Sequence, residues 1–204
     1  ILTVMGKLDE AEIATREAIK LNPKIALGYS NLANILKDKG KLYDAEIASR
    51  KSIQIDPKFA DGYFNLGLIL KEIGNLEEAE VYIRKGISIM PKSAEAHVNL
   101  GIILKDLGNL EEAKINTLKA IELKPKFAQA YCNLGVIFKD LGQLKEAEIY
   151  TRMAIKIKPD FANAYNNLGT IFMGLRDNKI KRNINSSIKY YKRAIEINPC
   201  FSEA

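Results

Sequence analysis

Apolar and polar positions along this chain recur with one long period. Pro23, Pro57, Pro91, Pro125 and Pro159 lie 34 residues apart, and Pro199 follows after 40. Gly40, Gly74, Gly108 and Gly142 keep the same beat, as do Ala11, Ala45, Ala79, Ala113 and Ala147. Tyr29, Tyr63, Tyr131 and Tyr165 share one position, which His97 takes in the remaining repeat. Leu32, Leu66, Leu100, Leu134 and Leu168 follow three residues later. Self-similarity at this period marks a repeat architecture, to be read before anything else.

With slot one set at Ala26, Ala60, Ala94, Ala128 and Ala162, slots four, seven, eight, eleven and fourteen are apolar or small, as in Tyr63, Leu66, Gly67, Leu70 and Ile73. That spacing predicts a helix with one buried face. The slot-fifteen glycine suits a helix end that needs a positive φ. Asn75, Glu77 and Glu78 then read as a new helix start, a polar cap followed by acids that suit the macrodipole. The second helix buries Leu76, Ala79, Ile83, Gly86 and Ile87 and ends before Pro91, since a residue preceding proline is driven out of the α region. Each unit is therefore an antiparallel helical hairpin. The small slot-eight residues, Ala33, Gly67, Gly101, Gly135 and Gly169, let the partner helix come close. One hairpin cannot bury its own apolar face, so neighbours stack to complete the core.

The period, the aromatic-x-x-Leu-Gly stretch, the later alanine and the closing proline resemble the tetratricopeptide repeat (TPR). The resemblance implies an all-α fold, a right-handed superhelical solenoid of stacked hairpins. It organises residues 1–204 as one array: a partial unit over 1–25, regular units over 26–59, 60–93, 94–127 and 128–161, an expanded unit over 162–201, and the start of another over 202–204. Two slots depart from the family. Slot four holds Tyr or His in place of Trp. Slot twenty-four holds Thr15, Ser49, Thr117 and Thr151 where an aromatic is common, a looser filling expected to lower stability. Within the family, the Tyr131-Cys132-Asn133-Leu134-Gly135 and Lys158-Pro159-Asp160-Phe161-Ala162 stretches are similar to the repeats that precede the catalytic domain of O-linked N-acetylglucosamine transferases.

Slot six is asparagine in every complete repeat: Asn31, Asn65, Asn99, Asn133 and Asn167. Two residues beyond the buried aromatic is about 200° around a helix that turns about 100° per residue. Slot six thus points away from its own hairpin core. In a TPR array the first helices line the concave face, so the resemblance implies an amide ladder along a groove. An amide both donates and accepts, so it can pair with the peptide unit of an extended ligand. The competing reading has each asparagine bracing the neighbouring helix. The ladder is preferred because residue identity drifts in flanking slots five and nine and not in this one. Flanking slots five and nine are apolar in the middle repeats, with Phe64, Val98 and Cys132, then Leu68, Ile102 and Val136. They either line the groove or pack between repeats. These residues point to a scaffold for a partner protein or extended peptide. The rival readings are the substrate-recruiting part of a larger glycosyltransferase or sulfotransferase, and a helical-repeat RNA binder.

Composition narrows the classes further. The net charge is +6, and residues 176–183 alone contribute +3. The remainder is near balance, unlike a phosphate-binding surface, so no nucleic acid partner is expected. No apolar run reaches the roughly 18 residues that would cross a bilayer, so no membrane partner is expected. Two cysteines, Cys132 and Cys200, and a lone histidine make a zinc site improbable and suit a reducing, cytoplasmic setting. His97 has no nucleophile or second histidine in its pattern and reads as packing. No cofactor or catalytic chemistry is expected in these residues. The basic stretch 176–183 reads as a solvated insertion between the two helices of the last repeat, or as a docking loop for an anionic partner. Oligomeric state is left open by the pattern.

Overall fold

The computed structural model describes residues 7–174 and 180–200. Among them are eleven helices and no strand. First helices of the repeats are α2 (Ala26–Asp38), α4 (Ala60–Ile73), α6 (Ala94–Asp106), α8 (Ala128–Asp140) and α10 (Ala162–Gly174). Second helices are α1 (Leu8–Leu21), α3 (Leu42–Ile55), α5 (Leu76–Ile89), α7 (Leu110–Leu123), α9 (Leu144–Ile157) and α11 (Ile180–Ile197). The chain forms two compact units, Ile1–Ile103 and Leu104–Ala204. In the first, α2 packs on α3 and α4 on α5; in the second, α8 packs on α9 and α10 on α11. The predicted all-α array of hairpins is the fold observed. None of the described helices is long and apolar enough to cross a membrane.

The turns follow from two residue types. Gly40, Gly74, Gly108 and Gly142 adopt φ between 73° and 94°, the left-handed region that costs a residue with Cβ energy. After α1, α3, α5, α7 and α9 the residue before proline leaves the α region; Lys158, for example, has φ −131° and ψ 94°. At the start of α5, Asn75 Oδ1 accepts from the Glu78 backbone N–H at 3.3 Å, and its Nδ2 donates to the Glu78 carboxylate at 2.9 Å. This is the cap and acid pair predicted there.

The hairpin core is closed by matching slot eight to slot twenty-four. A Cβ added to Gly67 would stand 2.6 Å from Ile83 Cγ1, one added to Gly135 would strike the Thr151 hydroxyl, and one added to Gly169 would strike the Tyr191 ring. The threonines in slot twenty-four are fully satisfied. Thr117 and Thr151 donate to the Ala113 and Ala147 carbonyls one turn back, at 2.8 and 2.7 Å. The hairpin cores gather Leu32, Leu36 and Ile69 in the first unit and Leu134, Leu168 and Ile171 in the second. Each such side chain contributes about 1.5–3 kcal/mol on burial.

The insertion differs from its expected form. Residues from Ile180 onward already belong to α11, which is 18 residues long against 14 in α9. About one extra turn of second helix absorbs part of the insertion. Residues 175–179 and the side chains of the whole basic stretch lie outside the described residues.

Candidate functional site

The slot-six asparagines are positioned by rigid first helices. Asn31 is exposed, whereas Asn65, Asn99, Asn133 and Asn167 are half-buried. Two of them reach back to the preceding first helix. Asn65 Nδ2 donates to Ser30 Oγ at 2.8 Å and approaches the Ser30 carbonyl at 3.4 Å. Asn167 Nδ2 lies 3.1 Å from Cys132 Sγ. Both partners occupy slot five, so slot six of one repeat is braced by slot five of the repeat before it. A carbonyl only accepts, so Ser30 fixes which end of the Asn65 amide faces inward. No described residue donates to the Oδ1 of either Asn65 or Asn167.

Asn133 is held differently. Its Oδ1 accepts from Gln129 Nε2 at 2.8 Å, one helical turn earlier, while its Nδ2 is buried without a partner. Asn166, beside Asn167, has a buried Oδ1 in the same condition. An unpaired buried polar atom costs about 1–3 kcal/mol, so these two positions weigh against stability.

The flanking slots divide. Slot five is packed inward: Val98 is 3% exposed and Cys132 2% exposed. Phe64 in the same slot is half-buried with its ring against Gly86 of α5. Slot nine stays partly open, with Leu68, Ile102 and Val136 all half-buried. Burial pushes the Cys132 thiol up to about 12, although the Asn167 amide works in the opposite direction. The sulfur is therefore a neutral packing and acceptor group, not a nucleophile. Cys200 is an exposed free thiol.

His97 does the structural work of the tyrosine it replaces. Its Nε2 is 3.1 Å from the Pro91 carbonyl, and Tyr63 donates its hydroxyl to the matching Pro57 carbonyl at 3.2 Å. Among the described residues no cluster of His, Cys, Asp or Glu could hold a metal. The charged pairs of slots twelve and thirteen form surface contacts, such as Lys37–Asp38 at 3.0 Å and Lys105–Asp106 at 2.7 Å. Sequence reasoning did not anticipate the roles of Ser30 and Gln129. The signal for Ser30 is a hydrogen-bonding residue 35 positions before a slot-six asparagine.

Family models described as Tetratricopeptide repeat or TPR repeat match residues 26–59, 49–81, 103–142, 128–161 and 162–199. No curated protein sequence matches. Among solved structures, MamA is 26% identical with a TM-score of 0.67, covering 85% of this chain and 92% of its own. YrrB, described as a TPR protein with an unusual peptide-binding site, is 24% identical with a TM-score of 0.65, covering 93% and 95%. PilW, a type IV pilus biogenesis factor, superposes at a TM-score of 0.86 over 99% and 91% with 20% identity. Repeat period, hairpin packing and matched residues agree: this chain belongs to the tetratricopeptide repeat family.

Proposed function

We propose that the chain is a protein-interaction scaffold that holds an extended peptide segment across its first helices. The observation that carries this reading is the pair of fixed amides. Asn65 and Asn167 each spend Nδ2 on the preceding helix, and no described residue donates to Oδ1. Fixing the side chain in advance removes ordering cost from binding. The carbonyl end is the one left for a ligand, so the complement is a row of ligand N–H donors, which an extended backbone supplies whatever its side chains. Neighbouring first helices pack at roughly 10 Å, and a strand advances about 3.3 Å per residue. One amide therefore meets about every third ligand residue. In the first unit the half-buried Leu68 and Ile102 give that segment an apolar floor beside Asn31, Asn65 and Asn99. In the second unit Val136 does so beside Asn133 and Asn167.

The test begins with peptides selected from a displayed random library on the full chain. Asn65→Ala is then expected to weaken a first-unit peptide about tenfold, roughly 1.4 kcal/mol, with Asn167→Ala doing the same for a second-unit peptide. N-methylation along the ligand should produce losses at every third position. Unchanged affinity in both alanine variants would return the asparagines to a bracing role alone.

A further inference from the structure

The second helices carry an exposed apolar series unconnected with the groove. Slot twenty-two holds Ile13, Ile47, Val81, Ile115 and Ile149 in five successive second helices. All five point to solvent, with exposures between 48% and 68%. Repeat duplication alone does not explain this constancy. Slot eighteen, one turn earlier on the same face, has drifted through Asp9, Tyr43, Glu77, Glu111 and Lys145. A β-branched residue on an exposed helix surface has neither packing nor helix propensity in its favour, so an exposed apolar side chain kept at one slot in five successive helices points to an interaction surface.

In the first unit this series is part of an ordered layout. Ile13 on α1, Ile47 on α3 and Val81 on α5 are joined by Tyr43, which is 74% exposed. Arg50 ties α3 to α5 through Glu78 and the Tyr82 hydroxyl, and Lys41 reaches Glu12 of α1. The three helices run in the same sense, each having an acidic first turn and basic residues nearer its end. Exposed Asp9, Asp44 and Glu77 lie on one side of the apolar row, and exposed Lys20, Lys51 and Lys85 on the other. The exceptions are exposed Glu17 on the basic side and exposed Lys7 and Lys41 on the acidic side, which exposed Glu10 adjoins.

We infer that this outer face is a docking surface for a second copy of the chain. The layout is self-complementary in one arrangement. A two-fold axis running along the row stacks two faces so that the acidic edge of one copy covers the basic edge of the other and the apolar rows meet. A two-fold axis across the row would set acid on acid and base on base. An isologous contact requires a patch that matches itself in this way, and opposed charge edges fix its orientation. The inference is independent of the peptide reading, because no slot-six or slot-nine residue takes part.

Sedimentation of the full chain from low to high micromolar concentration tests it. The expected result is a mass that doubles from 22.8 kDa as concentration rises, and Ile47→Glu with Val81→Glu that stays at the single-chain mass while retaining its helical circular dichroism. Charge exchange gives a second arm. Asp44→Lys with Glu77→Lys makes both edges basic, and Lys51→Glu with Lys85→Glu makes both acidic. Each variant alone is expected to be a single chain, and their equimolar mixture to recover the doubled mass. A wild-type chain that keeps the single-chain mass throughout would overturn the inference. So would a doubled mass that both the Ile47/Val81 variant and the charge variants leave intact.

Discussion

The junction between repeats 26–59 and 60–93 and the junction between repeats 128–161 and 162–201 use the same slots with different atoms. In the first, the slot-six amide meets a hydroxyl and a carbonyl on Ser30; in the second it meets the sulfur of Cys132. In the first, the slot-twenty-five arginine, Arg50, contacts Glu46, Glu78 and Tyr82. In the second, Arg152 contacts Glu148 and Tyr190, because Ser186 stands where Glu78 stands. The repeat thus specifies where neighbouring hairpins touch, while the strength of each touch is set by the local residue. A TPR array is stable as a sum of unit and junction contributions, so unequal junctions imply local differences in opening.

The largest effect separating the two regions should come from their close helix contacts. Gly67→Ala forces a methyl to within 2.6 Å of Ile83 and 3.1 Å of the Ala79 carbonyl. Overpacking of this kind costs about 1–3 kcal/mol. Gly135→Ala meets the Thr151 hydroxyl instead, with the Ala147 carbonyl at 3.2 Å. Thr151→Ala removes that hydroxyl without leaving an unpaired donor, so Gly135→Ala with Thr151→Ala should recover most of the loss in urea unfolding. Ile83→Ala should rescue Gly67→Ala less well, since Ile83 is fully buried and its truncation leaves a cavity. Equal rescue in both pairs would show that the facing carbonyls, not the side chains, set the approach.

The hairpins, their boundaries and the positive-φ glycines were legible because a period of 34 repeats each signal several times. The exchange between slot eight and slot twenty-four was legible in part: Gly67 and Gly135 announced a close approach, but only the packed pair shows Ile83 and Thr151 filling it. Slot five was not decided by sequence. Val98 and Cys132 lie 100° from the buried aromatic, and whether such a position faces solvent depends on how one hairpin rotates on the next. The same ambiguity hid the bracing of Asn65 by Ser30, a contact 35 residues long in sequence. The slot-twenty-two series was present in the sequence, but that all five side chains stay exposed is seen only once the hairpins are packed.

A smaller difference is expected from the arginines. Arg50→Ala removes two carboxylate contacts and a tyrosine contact, at about 1 kcal/mol for a partly exposed network. Arg152→Ala removes one of each and should cost about half as much. Hydrogen exchange read separately on α5 and α11 checks this, because local opening is measured where it occurs. Equal loss of protection in the two helices would mean that stacking of the guanidinium on Tyr82 and Tyr190, at 5.3 and 5.7 Å, dominates over the charge contacts.

The smallest effect is electrostatic and confined to the first unit. Lys39 donates to Glu12 at 2.6 Å, Arg16 lies 2.9 Å away and Lys41 3.8 Å. Hydrogen bonding by Lys39, and then by Arg16, lowers the Glu12 carboxyl from its ordinary value of 4.5 to about 2. A carboxylate whose folded value is depressed contributes stability that is fully present above about pH 4.5 and is lost as pH falls toward 2. Arg16 is half exposed and Lys39 partly so, so screening reduces the contribution to roughly half a kcal/mol. Glu12→Gln should therefore unfold at lower urea than the parent chain at pH 6, and the gap should close as the pH is lowered through this window. High salt should narrow it as well. A gap that persists unchanged below pH 2 would place the effect of the substitution in packing of α1 on α2 and not in the ion pairs.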